Sequence, residues 1–161
     1  MKLDAEFIIF APEFSYMANL QKIFLSDECD IYYNSELHII QSRWKGIYVE
    51  GERLKEIFNM LILALDLKKT EIIVADARDM LAISPADQQW TIEDWYPRAV
   101  RAGFRFQGLV LSKNTYNELA VKRISNQYDD SFITTQYFET PSEALKWVRD
   151  IRNGVETRSD Q

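Results

Sequence analysis

One cysteine, Cys29, and one histidine, His38, stand in a chain of 161 residues. A lone cysteine closes no intrachain disulfide, and one histidine leaves no Cys- or His-cluster metal centre to build. Ser-His-Asp chemistry would have to run through His38, and the sequence has no Gly-x-Ser-x-Gly elbow to raise a nucleophile. Glycine (5) and proline (4) are both scarce, so the chain is neither loop-dominated nor of low complexity. Gly103 and Gly108 are isolated, and no glycine-rich loop is available to cradle a phosphate. Positive charge is in the minority: 19 Lys and Arg face 25 Asp and Glu, a net −6 at pH 7. Binding to phosphate backbones or anionic bilayers draws on clustered Lys and Arg, so neither nucleic acid nor a membrane surface is an expected partner. Long apolar runs are missing too. The longest, Met60 to Leu65, is far below the ~18 residues of a membrane span. Phe7–Phe10, set among Asp4, Glu6 and Glu13, is too short for the core of an export signal. The expectation is a cytoplasmic protein with no membrane insertion.

What the chain does have is core-forming material: 47% of its residues are hydrophobic and 13% aromatic. Residues 1–24 read as an N-terminal extension of open structure, in which Phe7–Phe10 suits a short strand and Tyr16–Phe24 a short helix. Asp30–Asn34, a turn at Asn34–Glu36, and Leu37–Trp44 read as a β-hairpin. In its second strand, Leu37, Ile39 and Gln41 share one face, and His38, Ile40 and Ser42 the other. A helix is predicted from about Glu52 to Asp66, because Leu54, Ile57, Phe58, Leu61 and Leu65 recur at helical spacing. Ile72–Ala75 is a continuous apolar run, as in a strand covered on both faces. Ser84-Pro85-Ala86-Asp87 opens a helix reaching about Ala102, with Ser as cap, Pro at the first position and an acid three residues on. Pro97 falls inside it and predicts a kink or two abutting segments. A strand over Phe104–Leu111, a helix capped by Ser112 or Asn114 and running to about Ile124, a strand over Ser131–Phe138, and a helix opened by Thr140-Pro141-Ser142-Glu143 complete the chain. The prediction is a single α/β domain over 25–153, followed by a polar tail at 154–161. Its order is β-β-α-β-α-β-α-β-α, a mostly parallel sheet with an N-terminal β-hairpin.

Ligands of open α/β sheets usually bind at the carboxyl ends of parallel strands, which draws attention to the loop from Asp76 to Ser84. Asp76, Arg78 and Asp79 follow the central strand. Close carboxylates could hold a divalent cation, with Asp87 as a third ligand, whereas the arginine among them could equally neutralise the loop as a salt bridge. Ser84 is either a helix cap or, at the same positive helix end, a phosphate acceptor. Trp90 and Trp95, with Tyr96 and the charges of Glu93, Asp94, Arg98 and Arg101 around them, suit either a pocket or a set of core anchors. Trp90 and Trp95 are five apart and point to different sides of a helix. His38 reads as a half-buried structural side chain in its strand, and Cys29 as a small apolar one.

The stretch from about Lys22 to Ile151 resembles STAS-like domains related to anti-sigma-factor antagonists, in a bacterial branch of that family. The resemblance rests on Trp44-Lys45-Gly46, Ile73–Met80, Ile83–Trp90, Trp95-Tyr96-Pro97-Arg98-Ala99, and the ending Tyr137-Phe138 with Pro141, Glu143, Ala144, Leu145 and Trp147. It implies a non-enzymatic domain used for protein–protein regulation or small-ligand sensing. One departure matters: where phosphorylated antagonists carry Asp-Ser-Ser/Thr-Gly, this chain has Ile83-Ser84-Pro85-Ala86, so Ser84 is not carried over as a phosphosite. The leading reading is a non-catalytic domain, without cofactor or metal, for which a homodimer is open. It would engage a protein partner or small molecule through Asp76, Arg78, Asp79, Ser84, Asp87, Trp90, Trp95 and Arg98. The alternatives are a small carboxylate enzyme using Asp76, Asp79 and Asp87, with or without Mg²⁺, and a carrier of apolar ligands.

Overall fold

Three β-rich segments pair antiparallel ahead of the helix that opens at Gly51. In the computed structural model, which describes residues 19–112, 115–127 and 131–154, β1 (Leu20–Phe24) pairs with β2 (Cys29–Asn34), and β2 with β3 (Ile39–Trp44). The predicted hairpin is thus β2–β3, and it carries an edge strand beyond it. Leu20–Phe24 belongs to the sheet and is neither helix nor extension. A register shift between Lys22 and Phe24 lets the consecutive Ile23 and Phe24 both pack on the core, as a bulge does when it adds a residue to one strand. The strand predicted over Phe7–Phe10, the cap at Asn114 and the tail from 155 lie outside the described residues.

His38 is in the turn, not the strand: its φ of 55° is left-handed, and pairing resumes only at Ile39. Its Nδ1 meets the Tyr33 hydroxyl at 2.7 Å and its Nε2–H donates to the Lys69 carbonyl at 3.0 Å. Arg152, at the other end of the chain, donates to the carbonyls of Leu37 and His38. The turn is therefore held from three directions.

From β3 onward, strands and helices alternate. Helix α1 (Gly51–Lys68) leads to β4 (Ile72–Asp76). Next come α2 (Pro85–Trp90), one wide π-helical turn (Thr91–Trp95) and α3 (Tyr96–Arg101). Then follow β5 (Phe106–Val110), α4 (Thr115–Gln127), β6 (Thr134–Phe138) and α5 (Pro141–Arg152). The sheet order is β1-β2-β3-β4-β5-β6, antiparallel as far as β3 and parallel after it. Every crossover steps to the next position in the same direction. The single hand of such crossovers places α1, α2–α3 and α4 on one face, where their inward residues share a core with Ile73, Ala75 and Leu109. On the other face, where it is the one helix among the described residues, α5 buries Leu145, Trp147 and Val148 against Ile39, Ile72, Val74 and Val110. Trp147 lies directly over Gly108, where an added Cβ would stand 3.4 Å from the indole. Strand β4 is covered on both sides, as its apolar run requires.

The β1–β2 loop is tied to α1 by a fork. Arg53 donates from Nε and Nη2 to the two carboxylate oxygens of Glu28, at 2.8 and 2.9 Å. These bonds hold the Glu28 carboxyl down to about 2, from the ordinary 4.5. The folded state thus binds a proton at Glu28 less readily than the unfolded chain does. The stabilisation is complete above the unfolded value and disappears as pH falls through the folded one. Glu28→Gln should therefore flatten the decline of stability between about pH 5 and pH 2, read from urea midpoints across that range. Parallel profiles for the variant and the parent chain would show that the fork contributes nothing.

Candidate functional site

The loop after β4 and the helix that follows it are built from the residues the sequence singles out. Ser84 caps α2: its hydroxyl accepts from the Asp87 N–H at 3.1 Å and donates to Asp87 Oδ2 at 2.7 Å. The Asp87 carboxylate is 3% exposed and also accepts from the Gly51 N–H at 3.0 Å. One buried acid thus joins the start of α2 to the start of α1. Asp76 forms a two-pronged ion pair with Arg78, Nε to Oδ1 at 2.9 Å and Nη2 to Oδ2 at 2.8 Å. Asp79 is exposed on the same loop. Asp87 is therefore engaged in joining two helices and Asp76 in an ion pair. Among the described residues no three His, Cys, Asp or Glu side chains are grouped to hold a metal ion.

The two tryptophans part company. Trp90 is half-buried, flanked by Lys55 Nζ at 5.5 Å and the Arg98 guanidinium at 5.8 Å from its ring centre. Arg98 itself is bound to Asp94 at 2.6 Å and to Asn59 at 2.8 Å. Trp95 is 3% exposed, its indole N–H donating to the Phe58 carbonyl at 2.7 Å. It belongs to the core, so a partner on the surface does not reach it.

The difference follows from Pro97. Proline has no N–H for the carbonyl four residues back and clashes with it. The helix relieves this just upstream, where the Tyr96 N–H reaches back five residues to the Thr91 carbonyl. The predicted kink is thus a π turn between two α-helical segments. Its extra residue turns both Trp95 and Tyr96 inward, at 3% and 2% exposure, although they are adjacent in sequence. Such single wide turns recur at functional sites.

Beneath this turn lies a cavity of about 70 Å³. The sheet supplies its floor through Ile73, Ala75, Gln107 and Leu109. Phe58 and Leu61 of α1, and Val121, Ile124 and Ser125 of α4, form two walls. Thr91, Trp95 and Tyr96 form the third, with Phe104 beside them, and Ala77, Met80 and Ile83 of the β4–α2 loop close the remaining side. No Lys, Arg, Asp or Glu lines it. A few polar atoms are set into this apolar wall, among them the Tyr96 hydroxyl, which donates to Gln107 Oε1 at 2.9 Å. Cys29 lies elsewhere, fully buried, where desolvation pushes its thiol far up and keeps it protonated at neutral pH.

Of the eight residues assigned to the site from the sequence, Trp95 alone lines the cavity, and its neighbour Tyr96, named beside it, lines it too. Ser84 and Asp87 position the helix that walls it, Trp90 covers Phe58 from outside at 6.2 Å between ring centres, and Asp76, Arg78, Asp79 and Arg98 do not line it. The reading missed Gln107, Thr91, Met80 and Ser125. Gln107 carried a usable signal, a polar side chain at an inward position of the strand Phe106–Val110. Among the described residues no helix is long and apolar enough to cross a membrane. Compared with protein-family models, curated proteins and solved structures, the chain matched none.

Proposed function

We propose that this protein is a non-catalytic, STAS-like binding domain that takes a small, uncharged, largely apolar molecule into the cavity beneath the β4–α2 loop and the π turn. The observation that carries this reading is the cavity itself: about 70 Å³, walled by apolar side chains and free of charge. Around 10–15 Å³ suffices for one water, and an apolar cavity of roughly 150 Å³ stays dry and takes benzene or xenon. The loop wall is the one that yields most cheaply, because Met80 is unbranched and flexible and Ile83 sits outside any helix or strand. The protein-partner branch draws less support, since Trp95 is buried. The carboxylate-enzyme branch needs Asp87, which is committed to Gly51 and Ser84.

Xenon pressure on methyl-labelled protein tests the reading. Saturable shifts are expected at Leu61, Ala75, Met80 and Leu109, and Ala75→Leu, which fills the space, should abolish them. Unmoved cavity methyls in the parent chain would defeat the proposal.

A further inference from the structure

The cavity holds one polar side chain whose hydrogen-bonding capacity is only partly used. Gln107 is 8% exposed on β5. Its Oε1 accepts from the Tyr96 hydroxyl at 2.9 Å and from Thr135 Oγ1 at 3.3 Å, which occupies both lone pairs. Its amide NH₂ has no partner among the described residues. The other side-chain donors of the lining are spent: Thr91 donates to the Asp87 carbonyl at 2.7 Å, Ser125 to the Val121 carbonyl at 2.9 Å and Trp95 to the Phe58 carbonyl. Tyr96 and Thr135 engage the amide at its oxygen, which leaves the NH₂ as the donor available to an occupant of the cavity.

Resting on the reading of the cavity as a ligand site, we infer that the ligand bears a hydrogen-bond-accepting oxygen, held by the Gln107 amide, on a small neutral apolar body. A carboxylate or phosphate is disfavoured because no cation lines the space to offset its desolvation. By proportion to the cavity that takes benzene, the present volume suits about three heavy atoms, and the yielding loop wall at Met80 extends this to a short ketone or alcohol. Tyr96 and Thr135 act as positioning residues and Gln107 as the anchor.

The experiment uses 2-butanone as probe and xenon as control on the full chain. In the parent protein, 2-butanone should shift the Gln107 side-chain NH₂ resonances saturably, together with the cavity methyls. Gln107→Leu, close in volume and without the donor, should weaken 2-butanone about fivefold to tenfold, while xenon binds as before. If the methyls respond but the Gln107 amide does not, or if the variant binds 2-butanone as well as the parent, the anchor assignment is overturned and the cavity reading stands. If neither xenon nor 2-butanone moves the methyls, the cavity reading itself fails. An amide that exchanges magnetisation with a trapped water which 2-butanone does not displace also overturns the inference. Should Gln107→Leu fail to fold, the amide and methyl shifts of the parent chain decide alone.

Discussion

Trp95→Ala is expected to destabilise the fold by about 3–5 kcal/mol, whereas Trp90→Ala, five residues earlier on the same rod, costs about 1 kcal/mol. Trp95 fills the junction of α1, the π turn and the sheet. Its ring centre lies 5.4 Å from Phe58, 5.1 Å from Tyr96 and 6.0 Å from Phe104, and its N–H satisfies a helix carbonyl. Truncation removes these contacts and the hydrogen bond, and it merges the space with the existing cavity, which the surrounding helices cannot collapse to refill. Trp90 is half-buried, and its two cation contacts stay partly in water. Urea midpoints of the two variants, measured side by side, should therefore differ widely. Equal losses would mean that the inward and outward assignments are wrong.

Asp87→Ala should cost about 2–3 kcal/mol, the largest effect expected of any charged residue here. Its carboxylate satisfies the Gly51 N–H and the Ser84 hydroxyl while being 3% exposed, so alanine leaves donors facing each other across a dry joint. Ser84→Ala removes the cap and costs ~1 kcal/mol. Because both residues serve one network, the double variant should lose little more than Asp87→Ala alone. Strict additivity in the cycle would show that Ser84 and Asp87 act separately.

Much of this was legible from local chemistry. The Ser84-Pro85 and Thr140-Pro141 openings, the apolar stripe of α1 and the unbroken run of β4 all carry their reasons within a few residues, and each formed where those reasons point. Three features were not legible, each for a non-local reason. Leu20–Phe24 hides its strand character because the bulge breaks the alternation that marks a strand, and its partner edge exists only once β2 is in place. His38 leaves the strand because its ring is claimed by Lys69, 31 residues away. Asp87 reads as the third residue of a capping box, but its second task at Gly51 spans 36 residues. The candidate site was harder still. A single proline was read correctly as an interruption, yet which side chains the interruption would turn inward depends on how the wide turn is spaced, and that in turn selects Tyr96 and Gln107 as neighbours.

The unreversed order of the sheet has a kinetic consequence. Each strand lies beside the one made just before it, so no pairing has to wait for a distant segment, and the entropy of closing each loop is confined to one crossover. Assembly can proceed in the direction of synthesis, with the hairpin as template for β4, β4 for β5 and β5 for β6. The docking of α5 follows that of β6, and its Arg152 grips the turn at Leu37 and His38, so that the last described helix is fastened to the β2–β3 hairpin made long before it.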